Sequence, residues 1–108
     1  MPYYLVQMSY TTEAIRTLEE HPHNRFEELR PVYEEFGITI REAFLAFGDY
    51  DVVLLLEAPD NVRAAAISLA VTAQGAVAHY KTTPLLTWDE GVEAMRVAQR
   101  SGYRPPSG

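Results

Sequence analysis

Ala46-Phe47-Gly48-Asp49-Tyr50-Asp51-Val52-Val53 is the stretch that decides the fold. The residues leading into it, 38–47, read Ile-Thr-Ile-Arg-Glu-Ala-Phe-Leu-Ala-Phe, and those leading out, 51–58, read Asp-Val-Val-Leu-Leu-Leu-Glu-Ala. Both runs are rich in β-branched, aromatic and aliphatic residues, which is strand composition. Gly48-Asp49-Tyr50 supplies a turn and nothing longer. Strands joined so tightly pair only as an antiparallel hairpin. The stretch therefore joins the two middle strands of a small α/β sandwich. The strand over 51–58 is the most apolar and belongs in the centre of its sheet. Glycine, two acids and a tyrosine meet here, so the stretch is also expected to border the pocket.

Helical patterns flank the hairpin. Before it, Phe26, Leu29, Tyr33 and Phe36 form a stripe over 25–36, with Glu27, Glu28, Arg30, Glu34 and Glu35 mostly outside it. Asn24 is its expected cap, Pro31 its expected kink and Gly37 its stop. After the hairpin, Asp60 caps a helix over 61–74 that Gly75 ends. Arg63 is the only charge in the body of that helix. A helix this apolar predicts burial over most of its surface, and a small domain has little material to provide it.

Farther out, residues 3–10 read Tyr-Tyr-Leu-Val-Gln-Met-Ser-Tyr, a strand with two largely apolar faces. A short helix follows, with Thr12 as its expected cap, and fails at His21-Pro22-His23. Residues 76–86 form the last strand, and Pro84 places it at an edge or marks its end. Thr87 and Glu90 fit a capping box for a final helix over about 88–100. One domain thus covers 1–103, with a loose tail over 104–108.

The order is β-α-β-β-α-β plus a C-terminal helix. This predicts the α+β class, in the split βαβ or ferredoxin-like arrangement: one antiparallel sheet with helices on one face. The other sheet face is too apolar to stand bare. Self-association, two sheets packed face to face into a dimeric α/β barrel, is the expected remedy.

The chain has 108 residues, one domain's worth, with 47 % apolar and 22 % charged residues. Its net charge of −6 and lack of a basic cluster argue against nucleic acid and anionic membranes as partners. No apolar run approaches the ~20 residues of a membrane span. Met-Pro-Tyr-Tyr does not read as a signal peptide. The absence of cysteine excludes disulfides, thiolate nucleophiles and cysteine metal sites, and fits a reducing cytoplasm. No P-loop, dinucleotide fingerprint, nucleophile elbow or His-Glu-x-x-His motif is present, and no cofactor is expected.

Gly48-Asp49-Tyr50-Asp51-Val52-Val53, followed by Glu57-Ala58-Pro59-Asp60, resembles the signature of GYD-domain proteins. Tyr4, Tyr10-Thr11 and Gly37 are similar to that family too, and the similarity runs over about 3–90. The resemblance implies a bacterial or archaeal protein with the dimeric α/β-barrel version of the ferredoxin-like fold. The wider superfamily includes cofactor-free monooxygenases, lactone isomerases, polyketide cyclases and haem-handling enzymes. Only Gly48, Tyr50 and Asp51 carry over, as members of the signature and without a catalytic role.

Three residues are candidates for chemistry. Tyr50 can donate to a carbonyl or phenolate oxygen, and Asp51 can abstract a proton if desolvated. His79 is the only histidine on a predicted core element, and histidine is a common general base. Each has a plainer reading. The acids can accept backbone N–H groups in a well-built turn, and His79 can be a packing residue. His21 and His23 in a loop make a weak metal site, and an exposed connection suits them better. The expected function is a small cytoplasmic homodimer or higher homo-oligomer that binds a small apolar or aromatic molecule, with cofactor-free proton transfer or oxygenation as the candidate reaction. The alternatives are a non-catalytic ligand-sensing or assembly subunit and, third, a haem or metal barrel.

Overall fold

The computed structural model describes residues 1–107. Its elements are β1 (Tyr3–Tyr10), α1 (Thr12–Glu20), α2 (Phe26–Glu35), β2 (Thr39–Leu45), β3 (Val52–Glu57), α3 (Asn61–Ala73), β4 (Val77–Leu85) and α4 (Trp88–Gln99). The four strands form one sheet in the order β2-β3-β1-β4, every neighbouring pair antiparallel. This is a small α+β unit with the strand order of a split βαβ arrangement. β3 is central, as its apolar sequence requires, and β4 with Pro84 is an edge. β2 is the other edge. The hairpin thus joins an edge strand to a central one, which corrects the expectation of two middle strands.

Alternation along the strands builds the core. Tyr4, Val6 and Met8 of β1 lie opposite Leu56, Leu54 and Val52 of β3, and all six are buried beneath the helices with Tyr33, Ile38, Ile40 and Ile67. Each such aliphatic side chain contributes about 1.5–3 kcal/mol by leaving water. The opposite face presents Leu5, Val53 and Leu55 half-exposed at its middle. Among the described residues no element covers it, so only one of the two apolar faces of β1 is buried within a single copy.

Capping sets the element ends. Thr11, one residue earlier than expected, caps α1 by accepting the Ala14 N–H. Asn24 Oδ1 accepts from Phe26 N at the start of α2. The chain stays helical through Pro31 to Glu35. The proline removes one ladder bond without ending the helix. Beyond it, Gly37 N–H donates to Glu34 O and Ile38 N–H to Tyr33 O, with Gly37 at φ 74°. That pairing is a Schellman motif, and it turns the chain directly into β2. Asp60 caps α3 and Thr87 with Glu90 forms the capping box of α4, both as read from the sequence.

The helix α3 departs from the expected burial, and α4 stands apart from the core. Only Ala64 and Ile67 of α3 are buried. No residue of α4 is buried, and Trp88 is 85 % exposed. The radius of gyration is 17.6 Å, against roughly 13 Å for a compact chain of this length. α4 is an arm standing off the domain. Among the described residues no helix is long and apolar enough to cross a membrane.

Candidate functional site: an apolar groove with a polar mouth

The break at His21-Pro22-His23 creates the site. One continuous helix could lie flat on the sheet. Two short ones leave a gap between their inner faces and the β2–β3 edge. The gap is a groove of about 680 Å³, walled by Ile15, Leu18, Phe26 and Leu29 from the helices and by Ala43, Leu45, Val52 and Leu54 from the sheet. That volume is within the usual range for small-molecule sites, and its walls are mostly apolar. Leu45 and Val52 flank the hairpin loop, so of the opening stretch Val52 borders the groove while its glycine and acids do not.

The mouth of the groove is polar. Tyr10, His23 and Arg25 line both the groove and an adjoining cavity of about 510 Å³ that also includes Glu13, Thr17 and Glu28. His23 Nδ1 lies 2.6 Å from the His21 carbonyl, and its Nε2 pairs with the Glu28 carboxylate. The carbonyl first, and then the carboxylate, raise the His23 pKa above its ordinary value. Arg25 Nη1 donates to Glu28 Oε2 at 2.9 Å. Burial is the main cause of a raised Tyr10 pKa, with the Arg25 guanidinium opposing it. This mouth offers a neutral phenol and a guanidinium that can donate to an acceptor group, while both nitrogens of His23 are held by the His21 carbonyl and Glu28.

A buried tyrosine pair lies near Tyr10. Tyr33 and Tyr80 share a hydrogen bond between their hydroxyls at 3.0 Å. Burial pushes the Tyr80 phenol up to about 12 and raises that of the fully buried Tyr33 as well. Both stay neutral at any physiological pH, so the pair fastens α2 to β4 and holds no charge.

The three residues singled out in the sequence sit at one end of the sheet. Asp51 Oδ2 accepts the Tyr10 backbone N–H at 2.8 Å, and the Asp51 backbone N–H donates to Met8 O. Tyr50 is half-buried in the hairpin loop. His79 is exposed on edge strand β4, opposite Ser9, whose Oγ donates to the Asp49 carbonyl. None of the three lines the groove, the cavity beside it, or the cleft between α3 and β4. Tyr10, His23 and Arg25, which line the mouth, were not singled out in the sequence. Their signal in the sequence was the break itself, because a helix interrupted beside an apolar stripe leaves a cavity under the interruption. Among the described residues no three His, Cys, Asp or Glu side chains gather as metal ligands. His23 turns to Glu28 instead.

Two solved structures are similar at low identity. One is described as the crystal structure of FFRP-DM1, at 14 % identity and TM-score 0.49, covering 80 % of this chain and 100 % of that one. The other is TTHA0845 from Thermus thermophilus, at 18 % identity and TM-score 0.47, covering 81 % of this chain and 95 % of that one. No curated protein matches the chain. The GYD domain model matches residues 4–95, from the first strand into the last helix and across the whole hairpin. The chain belongs to the GYD domain family.

Proposed function

We propose that this chain is a homo-oligomer, dimeric at least, whose subunits each bind a small and mainly apolar organic molecule in the groove between α1, α2 and the β2–β3 edge. The groove itself carries the reading: about 680 Å³ walled mainly by apolar side chains, with the Tyr10 hydroxyl and the Arg25 guanidinium as donors at its mouth. An aromatic or polyketide-like body fits such walls, and a carbonyl, phenolate or acidic group fits the mouth. The half-exposed Leu5, Val53 and Leu55 support sheet-to-sheet packing into a barrel, since a bare apolar sheet face is costly in water. His23, poised between a carbonyl and a carboxylate, favours cofactor-free proton transfer as the second reading.

The test is titration with 1-anilinonaphthalene-8-sulfonate, an aromatic anion whose emission reports an apolar site. The intact chain is expected to bind it saturably. Ala43→Phe, which places a ring in the groove, is expected to abolish that binding while leaving thermal unfolding cooperative. Equal binding by both proteins would overturn the assignment of the groove.

A further inference from the structure

α3 and α4 each carry an apolar stripe that the chain leaves uncovered. On α3, Val62, Ala65, Leu69 and Ala73 are exposed and recur every three or four residues, so they lie along one side. Val62 and Leu69 are 76 % and 71 % exposed. Beside the stripe runs a cleft of about 410 Å³ between α3 and β4, into which Ala65, Ser68 and Leu69 face Tyr80, Thr82 and Pro84. The Thr82 hydroxyl is buried there with no hydrogen-bond partner. On α4, Trp88, Val92 and Met95 form a second exposed stripe. A twelve-residue helix alone in water is marginal, and one N-terminal cap adds only about 1 kcal/mol. A helix like α4 needs a surface to pack on, and its own domain does not supply it.

We propose that α4 is an exchanged arm: the α4 of one copy lies along the α3 stripe and α3–β4 cleft of a second copy, and the second returns the same contact. Size agrees, since α4 has 12 residues and α3 has 13. Both helices carry small residues beside their large ones, Ala65 and Ser68 on α3, Gly91 and Ala94 on α4, which lets the axes approach closely. Charge does not oppose the contact, because Arg63 is paired with Asp60, Glu93 with Arg96, and Glu90 closes its own capping box. A second copy of this chain brings one arm for every acceptor face, and the reciprocal exchange closes under a two-fold axis. The arrangement uses neither the groove nor the open sheet face, so it stands or falls apart from ligand binding and from the barrel.

The chain has no cysteine and one tryptophan, which makes the test direct. Met95→Cys on one tagged copy is mixed with Val62→Cys or Leu69→Cys on another and oxidised; all three positions are exposed, so the variants keep the fold. The expected result is a disulfide-linked pair of unlike copies, together with a blue shift of Trp88 emission as concentration rises. A link formed within one chain in the Leu69→Cys/Met95→Cys double variant would overturn the exchange, because the arm then folds back on its own domain. Absence of any link between unlike copies would overturn it too, as would a Trp88 shift that appears only on adding phospholipid vesicles.

Discussion

The Asp51 carboxylate accepts the backbone N–H of Tyr10 at 2.8 Å, where the β1–β4 register shifts between Ser9 and Tyr10. The β1–β3 ladder ends at the Met8–Val52 pair, and two residues on, a side-chain oxygen from the start of β3 takes the place of the next strand carbonyl. The acid at this place in the signature therefore ties the start of β3 to the end of β1. It also holds Tyr10, and with it one side of the groove mouth.

Asp51→Ala leaves the Tyr10 N–H without its partner and is expected to cost about 1–3 kcal/mol. Asp51→Asn keeps an acceptor oxygen and should recover most of that loss. Urea unfolding of the two variants beside the parent measures the difference. An Asp51→Ala protein as stable as the parent would mean that the amide finds another acceptor.

The Tyr33–Tyr80 pair predicts an asymmetry. Tyr33 is fully buried and Tyr80 only partly so. Tyr80→Phe strands the Tyr33 hydroxyl in the core, at about 1–3 kcal/mol, whereas Tyr33→Phe leaves a hydroxyl nearer water and costs about 0.5–1.5 kcal/mol. Thermal unfolding should rank Tyr80→Phe as the less stable variant.

Gly37→Ala tests the turn from α2 into β2. The residue sits at φ 74°, and an added Cβ would lie 3.3 Å from Pro59 Cγ. The left-handed conformation alone costs a side-chain-bearing residue about 1–2 kcal/mol. The expected outcome is a lower unfolding midpoint with an unchanged denaturant slope, since the chain still folds to the same structure.

Stability should depend on pH with opposite signs at Glu57 and His23. Glu57 faces Tyr3 across the β1–β3 ladder and accepts from Arg41 Nε at 2.9 Å. The Tyr3 hydroxyl, and then the Arg41 guanidinium, hold its carboxyl below the ordinary glutamate value. A lowered folded pKa gives stabilisation that is complete above the unfolded value, about 4.3, and lost as pH falls through the folded one. Glu57→Gln should flatten that acid limb. The raised pKa of His23 acts the other way: its stabilisation is complete below about 6.5 and lost as pH rises through the folded value. His23→Gln should flatten the neutral limb. Urea midpoints from pH 2 to 9 separate the two.

The groove and the sheet end make different predictions for binding. His79→Ala and Tyr50→Phe should leave affinity for an aromatic anion within about twofold. Arg25→Gln should weaken it about fivefold, equivalent to about 1 kcal/mol for a half-exposed charge. Fluorescence titration at fixed ionic strength decides it. Loss of binding in His79→Ala with Arg25→Gln unaffected would move the site to the sheet end.

Much of the fold was legible because its signals are local. Gly37, Asp60 and the Thr87/Glu90 box act within one turn of chain, so they could be read off in order. The central position of β3 followed from its apolar run. Thr11 displaced Thr12 as the cap because two adjacent threonines give the same signal, and the chain leaving β1 decides which one stands in extended geometry. The site was less legible. Tyr50, Asp51 and His79 attract attention by residue type, yet their surroundings depend on a strand register no short window contains. Tyr10, His23 and Arg25 look ordinary in sequence. They become a site because two helices and a strand end bring them to one mouth.

The sequence by itself determined the elements, their caps, the hairpin and the antiparallel sheet, since periodicity and turn chemistry act over a few residues. Only the tertiary structure decided that β2 lies at an edge, that the broken first helix leaves a groove over β2 and β3, and that α3 and α4 keep their apolar stripes uncovered. Those outcomes follow from which surfaces one chain can reach and cover. An apolar stripe records that it must be buried, and the partner that buries it is chosen by the packing of the whole chain.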